Sequence, residues 1–104
     1  MNVITEIIGL DELKIDTYSK KHGRDVIERH AKKFGQLIKN NITLKVLIKQ
    51  YEVEGSKQKY SIKTQLIFPS STIAVDKAYE WDIIIAIQKA MKDMENSILK
   101  KFSD

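Results

Sequence analysis

Residues 81–102 read WDIIIAIQKAMKDMENSILKKF, the longest periodic stretch in the chain without Gly or Pro. Ile84, Ile87, Met91, Met94 and Ile98 recur at alternating spacings of three and four, which places them on one face of an α-helix. Asp82 stands at the N-cap position, and Lys100 and Lys101 lie in the last turn, so both ends complement the helix dipole. Roughly 20 residues at ~1.5 Å each make a rod of about 30 Å. A rod with one apolar stripe needs a surface to lie on, and the preceding sequence supplies it.

Immediately upstream, Thr72 to about Ala78 predicts a short strand with Ile73 and Val75 on one face. Ser70-Ser71 turns the chain, and Pro69 ends the strand before it because it has no N–H to give to a ladder. That earlier strand, Gln58 to Phe68, alternates. Tyr60, Ile62, Leu66 and Phe68 point one way, and Lys59, Lys63 and Gln65 the other. Gly55-Ser56 suits a hairpin turn. Ile42 to Glu52 alternates too, with Ile42, Leu44, Val46 and Ile48 opposed to Thr43, Lys45, Leu47, Lys49 and Tyr51.

A first helix is expected from an Asp16 N-cap to about Asn40, where Asn40-Asn41 stops it. Ile27, Ala31, Phe34 and Ile38 form its stripe, flanked by Val26, His30 and Leu37. Gly23 weakens its first turns by about 1 kcal/mol relative to Ala. Val3 to Ile8 is a β-branched run ended by Gly9 and reads as a strand, while Leu10 to Ile15 is either loop or a partial turn.

The element order is therefore β-α-β-β-β-α. Three consecutive strands make an antiparallel meander, and the first strand adds parallel to the second through a crossover. The predicted class is α+β: two layers, with a four-stranded, mostly antiparallel sheet carrying both helices on one face. Residues 1–104 are read as a single domain, with no repeat or linker.

Composition narrows the function. Apolar content of 42% and charged content of 31% describe a globular chain, and the absence of Cys excludes disulfides, thiolate metal sites and cysteine nucleophiles. The longest apolar run, Ile83 to Ile87, is far short of a membrane span. The start, MNVITEIIGLDEL, has acids where a signal peptide carries basic residues, so a cytoplasmic location is expected. His22 and His30 have no carboxylate at a spacing that completes a metal or acid–base cluster. Ser70, Ser71 and Ser97 lack a nucleophile elbow, and the four Gly are scattered. No enzyme, cofactor, metal or small-molecule substrate is indicated.

Charge is the remaining signal. The net charge is +4, with seven basic residues against two acids in residues 17–40 and five Lys against two Glu in residues 42–64. This makes a polyanion the default partner. Lys20, Lys21, Arg24, Lys32, Lys33 and Lys39 lie away from the first helix's stripe, and Lys89, Lys92 and Lys100 away from the second's. Packed side by side, the two helices would present one broad positive surface that touches phosphates with little base readout. Lys45, Lys49, Lys59 and Lys63, with Tyr51 as a stacking group, mark the opposite sheet face as a second candidate.

The run KQKYSIKTQLIFPSSTIAVDKA at 57–78, leading into the last helix, resembles the ribosome hibernation-promoting and sigma-modulation proteins, in a short, archaeal-like form. In that family a strand ends in an acidic residue and the last helix opens Asp-x-x-x-Ala-Ile, as Asp82, Ala86 and Ile87 do here. Met94-Glu95 and Lys100 match later positions, and EIIGLDEL with the Trp81-Asp82 pair gives the archaeal cast. The family's Lys-Leu-Glu-Arg-Gln run reads Asp93-Met94-Glu95-Asn96-Ser97 here, so Lys100 alone transfers in the last helix. Lys89 and Lys92 rest on helix geometry.

The resemblance implies the same β-α-β-β-β-α fold and a partner in the small ribosomal subunit. Basic helix residues would lie on rRNA in the messenger and transfer RNA channel, silencing translation under stress. Ribosome dimerisation through an extra carboxy-terminal domain is not implied. The alternatives are a protein-interaction module using the sheet face or edge, and a general double-stranded RNA binder.

Overall fold

The computed structural model describes residues 2–53, 57–76 and 80–103. In order they form β1 (Val3–Ile8), α1 (Thr17–Ile38), β2 (Ile42–Val53), β3 (Lys57–Phe68), β4 (Ser71–Asp76) and α2 (Ile83–Phe102). The four strands make one sheet in the order β1-β2-β3-β4. β1 runs parallel to β2, from Val3 opposite Ile42 to Ile8 opposite Leu47. β2–β3 and β3–β4 are antiparallel. This is the α+β order and pairing expected from the sequence.

Alternation decides which way the sheet faces. Ile42, Leu44, Val46 and Ile48 of β2 are buried, as are Tyr60, Ile62, Leu66 and Phe68 of β3. They meet Val26, Ile27, Ala31 and Phe34 of α1 and Ile87, Met91, Met94 and Ile98 of α2 in one core. α1 lies over β1 and β2, α2 over β3 and β4, and the helices touch along their length. Burial raises the Tyr60 phenol above its ordinary pKa, and the nearby Asp82 carboxylate adds to the rise.

Both caps are those read from the sequence. Asp16 Oδ2 accepts the Ser19 N–H at 3.1 Å, and Asp82 Oδ1 accepts the N–H groups of Ile84 and Ile85 at 2.8 and 3.0 Å. Elsewhere the structure refines the expectations. Ile83, Ala86 and Ala90 are buried while Ile84 is half-buried, so the buried face of α2 is turned away from Ile84. In α1, Ile38 is half-buried and Leu37 exposed. Pro69 and Ser70 form the turn, and Ser71 already belongs to β4.

The segment after β1 is a series of turns that buries Leu10 and Leu13 under the helices. α1 runs unbroken through Gly23 because the missing side chain makes room for α2: a Cβ there would stand 2.9 Å from Ile87 Cδ1. The expected Gly55-Ser56 turn and the end of β4 at Ala78 lie outside the described residues.

Candidate nucleic-acid interface

The basic positions of the helix layer divide by what each cation meets. Asp11, in the turns between β1 and α1, gathers two of them. Its backbone carbonyl accepts from Lys20 Nζ at 2.7 Å, and its carboxylate accepts from Arg24 Nη2 at 3.1 and 3.2 Å. Lys33 reaches across to α2 and pairs with Glu95. Lys89 pairs with Glu80, whose backbone is bridged to Tyr60 just before the α2 cap. Four of the eight candidate residues thus tie elements of the fold together.

Lys21, Lys32, Lys92 and Lys100 are exposed and make no ion pair among the described residues. They do not all face one way. Lys32 borders a groove with Val3, Thr5 and Glu28 on the β1 side of α1, whereas its neighbour Lys33 points towards α2. Lys89, Lys92 and Lys100 share the outward face of α2 by helical spacing. Asp25 and Glu28 stand between Lys21 and Lys32 on one stripe of α1 and dilute its charge.

Arg29 joins these cations, although the apolar stripe of α1 does not single it out. It is exposed, pairs with no acid among the described residues, and stands one turn before Lys33 on the stripe that borders α2. Its i, i+4 relation to Lys33 was available in the sequence. His22 continues the stripe outward, its ring 6.2 Å from that of Tyr18. His30 is half-buried, with Nδ1 2.8 Å from the Val26 carbonyl oxygen, and serves the packing of α1.

Lys45, Lys49, Lys59 and Lys63 lie on the sheet face that carries no helix. Among the described residues no group of three or more His, Cys, Asp and Glu could hold a metal ion. No helix there is long and apolar enough to cross a membrane.

The sequence matches no family model and no curated protein. Among solved structures, the chain is similar to the crystal structure of the Thermus thermophilus Protein Y N-terminal domain. The likeness has a TM-score of 0.66 at 21% identity and spans 99% of this chain and 100% of that one. The two chains share a fold from end to end.

Proposed function

We propose that this protein is a single-domain, non-enzymatic, cytoplasmic binder of the small ribosomal subunit. It occupies the messenger and transfer RNA channel and inhibits translation. The observation that carries the reading is the end-to-end fold likeness to the Protein Y domain, which joins the hibernation-type resemblance of residues 57–102. Lys21, Lys32, Lys92 and Lys100 supply the cations free to meet phosphates, with Arg29 beside them. Lys20, Arg24, Lys33 and Lys89 would make contact by exchanging an internal carboxylate or carbonyl for a phosphate.

Co-sedimentation of the protein with small subunits at low and high salt tests the reading. Four phosphate contacts predict about a hundredfold loss of affinity between roughly 50 and 200 mM salt. Joint charge reversal at Lys21, Lys32, Lys92 and Lys100 is expected to abolish binding while the melting temperature holds. Binding that ignores both salt and the four reversals would sink the helix-layer reading. Equal competition by free duplex RNA would replace it with general duplex recognition.

A further inference from the structure

The helix-free face of the sheet has an order that solubility alone does not require. On β2 and β3, Lys45 stands opposite Gln65, Leu47 opposite Lys63, Lys49 opposite Ser61 and Tyr51 opposite Lys59. The cations therefore step from strand to strand, one per row, in the sequence Lys45, Lys63, Lys49, Lys59. Rows are about 7 Å apart along the strands, which gives a stripe of about 20 Å. Between strands, a groove of about 350 Å³ borders it, lined in part by Lys45, Leu47, Lys63, Gln65 and Asp76.

The stripe ends in aromatic rings. Tyr51 is 45% exposed beside Lys59, and the Lys59 ammonium lies 5.7 Å from the centre of the Trp81 ring, itself 53% exposed. A cation between two accessible rings offers base stacking and phosphate contact in one row. The width of the stripe is limited by acids on the outer strands, Glu6 beside Lys45 and Asp76 beside Lys63. A duplex would bring its second backbone over those carboxylates; a single strand along the β2–β3 axis would not.

We propose that this face is a second nucleic-acid site, which takes single-stranded RNA along the β2–β3 stripe with bases stacked at Tyr51 and Trp81. It lies on the opposite side of the sheet from the helix layer and stands or falls independently of the function proposed above. In that arrangement the protein could hold a folded RNA on one side and an unpaired strand on the other.

Trp81 is the protein's single Trp, so its fluorescence reports on this site alone. Titration with an oligouridylate of about 12 nucleotides is expected to quench it saturably and with salt sensitivity. Joint Lys45→Gln, Lys49→Gln and Lys63→Gln is expected to weaken binding at least about tenfold and flatten the salt slope by about two units. Tyr51→Leu, a single exposed change, is expected to weaken it as well, and Lys21→Glu with Lys32→Glu to leave it unchanged. Circular dichroism and melting establish that each variant is folded. No quenching at low salt would overturn the proposal, as would loss on the helix variants but not the sheet variants. So would equal competition by an RNA duplex, or by polyglutamate at matched charge, the latter making the face a protein-docking surface.

Discussion

Gly9 and Gly23 show how differently two residues without side chains serve one fold. Gly9 closes β1 with φ of +96°, a backbone conformation that L side chains rarely adopt, and a Cβ there would strike the carbonyl oxygen of Ile48. Backbone in a central strand cannot yield. Gly23 meets only the tip of Ile87, which can rotate, and alanine there also gains helix propensity of about 1 kcal/mol. Gly9→Ala is therefore expected to cost about 3 kcal/mol or more in urea unfolding, and Gly23→Ala far less; the reverse order would contradict both placements. At Asp16, the Ser19 hydroxyl and backbone N–H hold the carboxyl below its ordinary pKa. The folded state therefore binds fewer protons than the unfolded chain across the carboxylate range. Stability from this cap is present above that range and is lost as pH falls through the depressed pKa. Melting temperatures taken from about pH 6 down to about pH 2.5 should fall less steeply for Asp16→Asn than for the wild type. Parallel slopes would show that the carboxylate contributes nothing.

At the scale of elements, α2 is held by its cap and by a face shared between the sheet and α1. Met91 is fully buried at the centre of that face. Met91→Ala is expected to destabilise by about 2–5 kcal/mol, measured as a shift in urea midpoint at constant slope. A loss below about 0.5 kcal/mol would mean that the site collapses around the smaller side chain. Most of this architecture is legible in the sequence. One sheet face is buried and one is open, so the β2 and β3 alternation carries the register's sense, and both caps are local chemistry. The rotation of α2 towards Ile83, Ala86 and Ala90 is not, because two of the three are alanines, which add little to an apolar stripe. Nor is the burial of Leu10 and Leu13, since a run of turns has no period to read. The candidate site was legible in composition but not in geometry. A helical projection shows that Lys33 points outward from its own helix; it does not show that Glu95, on another helix, waits there.

For the molecule as a whole, internal carboxylates set how much positive charge the helix layer offers. The Lys33–Glu95 pair joins α1 to α2 through a half-exposed lysine side chain, 55% accessible against 26% for that of Glu95. Screened pairs of this kind contribute about 0–1 kcal/mol to stability, so the pair matters little to whether the helices pack. It would matter more to an RNA bound at the proposed helix-layer site, where a phosphate would have to displace Glu95 or share Lys33 with it. Glu95→Gln keeps the side chain's size, frees the cation and raises the net charge by one unit. If the helix layer is the ribosome-facing surface, this variant should bind small subunits several-fold more tightly at low salt, with its melting temperature nearly unchanged. The gain should shrink as salt rises, since it is one added phosphate contact in a screened field. A matched change at Asp76→Asn, on the opposite face, should leave subunit binding as it was. If Asp76→Asn tightens binding as much as Glu95→Gln, net charge alone governs the interaction. If only Asp76→Asn does so, the sheet face is the one turned towards the subunit.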